Sequence, residues 1–345
     1  MAILSPLSLC FQEEDDKNEK STAGDGVGDD VDYLISTLPT NNQGLYKYQG
    51  FWIPHPGALL GILGTHRHFK ALPGDVLLAT IPKVGTTWLK ALAFAARNRR
   101  NRPFSLSHLT SFNPHECVPF LEYQLYVDPD RLPNLAALPS PRLLATHLPF
   151  CLLPPSVLEE PECKIVYLCR NPRDTFVSMW YFFQDLMPKG MTFEMFFEAF
   201  LSGEIPIGPF WDHVLGYWRA NSVNKQKVMF MRFEELKKDP KGEMRRLAEF
   251  MGCGFSQEEE EEEKVVEELV EMCSLRGLRK LEVNKSGTMG MGTIGIKKRS
   301  FFRRGEVGDW ADHLSKEMVE RLDKVVEEKL QGSGLSFDQY YGLPN

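Results

Sequence analysis

The sequence predicts an α/β fold, a single domain with a central parallel sheet flanked by helices. Two observations support this prediction. Four short apolar segments of strand length alternate with segments of helical periodicity. The first of these strands also leads through a tight glycine-containing loop directly into a helix. Because parallel sheets of this kind bind ligands at the carboxyl ends of their strands, the residues that follow the four strands are the place to expect a functional site.

The first predicted strand covers residues 75–81, an apolar and β-branched segment. A short loop with Lys83 and Gly85 follows, and Thr86 or Thr87 is placed to cap the next helix. Such a loop directs free backbone N–H groups, two hydroxyls and the positive end of a helix dipole at one point. We therefore predict a P-loop-like phosphate-binding loop, although its lysine precedes the glycine, unlike the lysine of a Walker A motif.

The other three strands carry cationic or titratable residues at their ends. These strands are predicted at residues 142–146, 164–169 and 228–232. His147 follows the second strand, Arg170 and Arg173 follow the third, and Arg232 ends the fourth. None of the four ends in the aspartate that would hold Mg²⁺ in a P-loop NTPase. The site should therefore bind anionic groups around a single histidine.

The ends of the chain suggest one folded domain with an acidic extension. We predict a disordered acidic tail over residues 1–45 and the folded domain over residues 46–345. The chain has 47 acidic and 40 basic side chains, a net charge of −7. Residues 1–32 account for that whole excess, so the remainder is neutral, which argues against a nucleic-acid partner. No signal peptide or membrane span is evident, so we expect a cytoplasmic protein with no membrane partner.

Three further features bear on the site. The seven scattered cysteines indicate unpaired thiols, and no histidine or cysteine pattern indicates a metal. Residues 102–141 are predicted to form a partly helical excursion over the sheet, and residues 287–308 a flexible, glycine-rich and basic loop. Lys90 and Arg173 are interpreted as surface or structural charges.

Four motifs together resemble the cytosolic sulfotransferase family, and most closely its plant members. They are PKVGTTWLK at 82–90, ATHLP at 145–149, CRNPRDTFVS at 169–178 and FFRRGEVGDW at 301–310. The resemblance extends from about residue 46 to the C-terminus. It implies a transferase that moves a sulfuryl group from 3′-phosphoadenosine 5′-phosphosulfate (PAPS) to a small acceptor without a metal.

The resemblance also implies roles for individual residues. His147 would be the general base and Lys83 would stabilise the leaving phosphate. The residues that would bind the nucleotide are Lys83, Val84, Gly85, Thr86, Thr87, Trp88, Arg170, Ser178, Phe233, Arg303, Arg304 and Gly305. The residues that would contact the acceptor are Phe51, Trp52, Phe112, Tyr181 and Phe182.

Some questions stay open at the level of sequence. The acceptor is expected to be a largely apolar hydroxylated molecule such as a flavonoid, a steroid or a hydroxy-jasmonate, and the protein to be a monomer. The alternatives are a nucleotide-binding protein with little turnover and a P-loop kinase or nucleotidase. Val84, Phe233 and Leu275 depart from the residues that are usual in the family. We expect Val84→Ser to add a hydrogen bond and so to tighten binding of the desulfated nucleotide about 2- to 10-fold.

Overall fold

The computed structural model describes residues 3–12, 27–261 and 264–340. Within these ranges the strands β1–β8 are Tyr46–Tyr48, Phe51–Ile53, Val76–Thr80, Leu143–Thr146, Lys164–Cys169, Val228–Arg232, Thr288–Met291 and Ile294–Lys297. The helices α1–α17 are Pro6–Leu9, Val27–Thr37, Pro56–His68, Thr86–Asn98, Arg102–Ser111, Pro114–Cys117, Pro155–Glu159, Pro172–Phe183, Phe193–Ser202, Phe210–Val223, Phe233–Lys238, Pro240–Phe250, Gln257–Glu261, Lys264–Cys273, Leu275–Lys280, Glu282–Lys285 and Lys316–Leu330.

The central sheet contains the four predicted strands in the order β4-β3-β5-β6, and all neighbours are parallel. In the register, Val76 of β3 lies between Leu143 of β4 and Lys164 of β5. The strands are apolar because both faces are covered, and every residue of β3 and β4 is buried. Helix α4 packs against α12 and α14, and α10 packs against β6. The predicted α/β class is confirmed.

The loop from β3 to α4 has the predicted strand, loop and helix order. It turns through two left-handed residues, Lys83 (φ 72°) and Gly85 (φ 111°). A Cβ on Gly85 would lie 2.8 Å from Cδ2 of Phe233, so this position needs glycine for space as well as for its φ. Gly85 is the N-cap of α4, and the expected cap by Thr86 or Thr87 is therefore wrong. Their hydroxyls make other contacts.

The excursion over residues 102–141 is partly helical, as predicted. It contains a π-helix at Leu121–Leu125. Just before this π-helix, Phe120 forms a parallel β-bridge with Ala145 of β4. The excursion therefore extends the sheet edge and brings the π-helix to the carboxyl end of β4.

Two predictions about flexible segments need correction or remain open. Residues 13–26 of the predicted tail lie outside the described residues. Helix α1, in contrast, is capped by Ser5, and Cys10, which follows it, is 1% exposed and accepts a hydrogen bond from Asn134 N–H (2.8 Å). This part of the tail is apolar and packs on the domain. The predicted loop 287–308 contains the hairpin β7–β8, whose alternating residues are buried.

No helix of the described residues is long and apolar enough to cross a membrane. All seven cysteines lie in the described ranges and are unpaired, as predicted.

Candidate active site

The carboxyl ends of the strands open into one cavity of about 310 Å³. Thr80 ends β3, Thr146 ends β4 and Cys169 ends β5, and the residue or loop after each of them contributes to the lining. The predicted site residues that line the cavity are Lys83, Gly85, Thr86, Thr87, Trp88, His147, Arg170, Ser178, Phe182, Phe233, Arg303 and Gly305. The structure thus brings together most residues that the motifs singled out.

Four of the five predicted acceptor contacts lie outside the cavity lining. Phe51 and Trp52 belong to β2 and are buried in the core, 6% and 8% exposed. Phe112 packs its ring against His108, 5.8 Å away. Tyr181, also on α8, is 39% exposed and does not line the cavity. Only the neighbouring Phe182 faces the cavity, since successive residues of a helix point in different directions.

Two predicted nucleotide contacts also have their side chains elsewhere. Val84 is fully buried in the hydrophobic core and does not line the cavity. A serine at this position would therefore have its side chain in the core, which argues against the expected hydrogen bond from Val84→Ser to the nucleotide. Arg304 turns away from the cavity lining and pairs with Asp309 (2.6 Å) and Asp312 (3.0 Å).

His147 has a defined tautomer. Its Nδ1 lies 2.6 Å from the backbone carbonyl oxygen of Thr80, which can only accept, so Nδ1 carries the proton and Nε2 has the free lone pair. Burial lowers the pKa of His147 to about 3, against the effect of the Thr80 carbonyl. The imidazole is therefore neutral at pH 7 and can accept a proton through Nε2.

A chain of hydroxyls joins this histidine to the phosphate-binding loop. The Thr80 hydroxyl lies 3.1 Å from His147 Nδ1 and 2.8 Å from the Thr86 hydroxyl. Since Nδ1–H already points at Thr80, the Thr80 hydroxyl is free to donate to Thr86 Oγ1. The Thr86 proton can then point into the cavity, where it would meet an anionic ligand.

Lys83 is held over aromatic rings. Its Nζ lies 3.9 Å from the centroid of the Phe182 ring and 5.9 Å from that of Phe301. Burial, and to a smaller extent the nearby guanidinium groups of Arg303 and Arg170, together lower the pKa of Lys83 to about 7. Arg170 pairs with Asp174 (3.4 Å) and Arg303 with Asp309, whereas Lys83 has no ion pair among the described residues. The Lys83 ammonium is therefore the cation of this group that an anionic ligand would pair with.

Arg170, which follows β5, and Arg303 in the C-terminal part of the chain have side chains that fit the 3′-phosphate of the nucleotide. Nε of Arg170 and Nε of Arg303 are both buried and have no hydrogen-bond partner among the described residues. Buried guanidinium N–H groups are rarely left unsatisfied, so these two point to a missing anionic partner. Ser178 is also buried beside them in the lining. The donor set therefore fits the 3′-phosphate of the nucleotide.

The aromatic part of the cavity fits an adenine. The Trp88 ring lies 5.7 Å from the Phe233 ring in an edge-to-face arrangement, and the Arg170 guanidinium lies 4.5 Å from Phe233. Nε1 of Trp88 has no hydrogen-bond partner in the described part of the chain. Phe233, which stands where the family usually has tyrosine, is thus part of the lining, together with Leu275.

Several lining residues were missed by sequence reasoning. His115 packs between Phe120 and Phe301, and its Nε2 lies 3.0 Å from the Thr87 hydroxyl. The other missed residues include His55, Tyr123, Met291, Ile294, Ile296 and Phe301. The alternation of apolar residues over 288–297 could have predicted the hairpin that supplies three of them. The imidazoles and Tyr123 had no distinguishing pattern.

The parallel sheet, the loop after β3 and the cationic side chains around the cavity fit the class of proteins that bind anionic nucleotides. Residues 73–334 match the sulfotransferase domain model, and the chain therefore belongs to the sulfotransferase family. As the resemblance implied, the protein is a transferase that uses PAPS as its sulfuryl donor. The kinase or nucleotidase alternative is thereby excluded.

Two relatives with high sequence identity are plant proteins, as the resemblance implied. Cytosolic sulfotransferase 12 of Arabidopsis thaliana is 47% identical over 315 residues, which cover 88% of this chain and 93% of the relative. Cytosolic sulfotransferase 8 of the same plant is 43% identical over 326 residues, covering 92% and 96%.

Solved structures agree with the family. One, described as an Arabidopsis thaliana steroid sulphotransferase, is 40% identical, with a TM-score of 0.69 over 91% of this chain and 98% of that one. A mouse sulfotransferase complexed with PAP is 25% identical, with a TM-score of 0.62 over 84% and 95%.

Proposed function

We propose that this protein transfers the sulfuryl group of PAPS to a hydroxyl of a small, largely apolar acceptor, with His147 as general base and Lys83 stabilising the leaving phosphate. PAPS, when bound, supplies the sulfuryl group and retains the bonding electron pair on its 5′-phosphate. The observation that carries the proposal is the hydrogen bond from His147 Nδ1–H to the Thr80 carbonyl, which leaves Nε2 as the accepting atom inside the cavity.

His147 would take the proton of the acceptor hydroxyl as that oxygen attacks. A base must be largely unprotonated at the working pH, and the lowered pKa of His147 meets this condition. The Thr80 carbonyl stabilises the imidazolium that results, because its hydrogen bond from Nδ1–H becomes stronger when the ring is charged. The strand end thus orients the base as well as carrying it.

Lys83, Thr86 and Thr87 would hold the phosphosulfate, and Arg170, Ser178 and Arg303 the 3′-phosphate. A cation beside the leaving oxygen stabilises the transition state more than the ground state, because negative charge develops on that oxygen as its bond to sulfur breaks. Among the described residues the Lys83 ammonium lies against the rings of Phe182 and Phe301 and has no hydrogen bond to a protein acceptor, so it is available for that oxygen. Burial strengthens this interaction because little water competes with it.

The acceptor would lie against the apolar part of the lining. The apolar side chains that line this cavity include Phe182, Phe183 and Leu186 from the α8 region and Met291 and Ile294 from the hairpin. Such walls favour flat or apolar molecules and contribute few directional contacts. The plant relative described as a steroid sulphotransferase agrees with an acceptor of this class. We also propose that the protein is cytosolic, because the two Arabidopsis relatives are named cytosolic sulfotransferases. We further propose that it is a monomer.

The test is a transfer assay on protein purified with EDTA. Phenols, flavonoids, steroids, hydroxy-jasmonates and desulfo-glucosinolates are each offered with PAPS, and sulfated product is measured. Transfer to an apolar hydroxylated acceptor supports the proposal. Activity confined to a highly polar sugar acceptor would refute the acceptor class, and His147→Ala with unchanged kcat would refute the base.

A further inference from the structure

A buried carboxylate with no role in the chemistry above lies behind the base. Glu122 belongs to the π-helix Leu121–Leu125, and it is fully buried. Helices of this kind are rare and often occur at functional sites. The backbone of Glu122 packs closely on α3, since a Cβ on Gly61 would lie 1.8 Å from the Glu122 carbonyl oxygen. The π-helix is therefore held firmly between α3 and β4.

Both carboxylate oxygens of Glu122 accept hydrogen bonds at the carboxyl end of β4. The backbone N–H of His147 donates to Oε1 (2.6 Å), and the Thr146 hydroxyl donates to Oε2 (2.9 Å). Thr146 Oγ1 also accepts the N–H of Leu148 (2.9 Å). Glu122 thus holds the chain at Thr146 and His147, where β4 ends and the backbone no longer forms hydrogen bonds with a neighbouring strand.

A buried lysine interacts with Glu122: burial lowers the pKa of Lys90 well below its usual range, and the nearby Glu122 carboxylate opposes this shift. Lys90, which was expected to be a surface or structural charge, is fully buried in α4. Its Nζ lies 3.2 Å from the centroid of the Phe120 ring and has no hydrogen-bond partner within the described ranges. The Phe120 ring is in turn 4.5 Å from the His147 ring. When Lys90 is charged, it lowers the pKa of His147 and so opposes protonation of the imidazole.

The protonation state of Glu122 depends on its neighbours. Burial raises the pKa of Glu122 to about 7, whereas the hydrogen bonds from His147 N–H and Thr146 and the charge of Lys90 favour the anion. A carboxylate is the better partner for this position because it accepts both hydrogen bonds at once. It also offsets the effect of Lys90 on the base.

We propose that Glu122 is a positioning residue for His147, which holds the backbone of the base and stabilises the imidazolium formed when His147 takes the proton of the acceptor. This inference rests on the proposed function of His147. It predicts that Glu122 acts on the chemical step through the base, with no contact to the nucleotide.

Glu122→Gln is the variant to test, because it is nearly isosteric and keeps an oxygen for the His147 N–H while it removes the charge. We expect kcat to fall about 10- to 100-fold, within the range of an impaired general base, while affinity for PAP stays within about 2-fold. In a His147→Ala background the same change should have no further effect on kcat, since residues that act as one unit are not additive.

Asp75→Asn is the matched control. Asp75 is also a buried carboxylate beside the same sheet, but it lies at the opposite ends of β3 and β4, where it accepts a hydrogen bond from Arg142 Nε (2.9 Å). This variant should lower Tm and leave kcat nearly unchanged. The inference is overturned if Glu122→Gln lowers only Tm, as Asp75→Asn does, or if its loss of kcat multiplies that of His147→Ala. If His147→Ala alone kept full activity, the proposed function itself would fail, which is a separate result.

Discussion

The binding of PAP should be linked to the protonation of Lys83. In the free protein, burial and then the nearby Arg303 and Arg170 lower the pKa of Lys83 to about 7. A bound phosphate next to the ammonium stabilises its charged form and raises this pKa. Below pH 7 the lysine is already charged, so full affinity is present there. As the pH rises above 7, Lys83 must take up a proton when PAP binds, and the affinity for PAP falls. The affinity stops falling once the pH exceeds the pKa of Lys83 in the complex.

The magnitude follows from a single titrating group. With a free pKa near 7, only about a tenth of Lys83 is charged at pH 8, so affinity for PAP should fall roughly 10-fold per pH unit above 7. The phosphate groups of the ligand titrate with a pKa of about 6, so measurements from pH 7 to 9 separate their titration from that of Lys83. Calorimetry in buffers of different ionisation enthalpy should show nearly one proton taken up at pH 8.

Two variants assign the effect to this residue. Lys83→Arg stays charged at every pH in the range, so its affinity should be nearly independent of pH. Lys237→Met is the control, because Lys237 also lines the cavity but pairs with Glu306 (2.8 Å). It should keep the slope of the parent protein. Affinity that is flat from pH 7 to 9, with no proton uptake, would refute the placement of Lys83 at the phosphates.

Three further predictions test the site. His147→Ala should lower kcat at least ~100-fold while PAP affinity stays within 2-fold, measured by steady-state kinetics and calorimetry; a large loss of PAP affinity would contradict the role of a base. Gly85→Ala should abolish PAP binding in calorimetry, since its Cβ would meet Phe233 at 2.8 Å in a backbone conformation that alanine avoids, and normal binding would show that the loop can move away. Val84→Ser should lower Tm, by burying a hydroxyl in the core at a cost of about 1–3 kcal/mol, with unchanged PAP affinity; tighter binding would mean that this side chain reaches the ligand after all.

The prediction of the sheet from the sequence succeeded for a physical reason. Strands of a parallel sheet are buried on both faces, so β5 and β6 stand out as continuous apolar segments, and both lie where the sequence placed them. The hairpin β7–β8 was missed because its strands have four residues each and are rich in glycine. Its burial pattern alternates, which is a weaker signal in so short a segment.

The sequence by itself determined which polar residues meet. Lys83, His147 and Arg170 each follow a strand, and a parallel sheet brings all those carboxyl ends to one edge whatever the details of packing. Only the tertiary structure decided where side chains away from the strand ends point. Phe182 faces the cavity while Tyr181 does not, because a rotation of one helix position separates them. Glu122 reaches the base through a π-helix that no local pattern predicted, because the contact depends on how the excursion over residues 102–141 packs against the sheet edge.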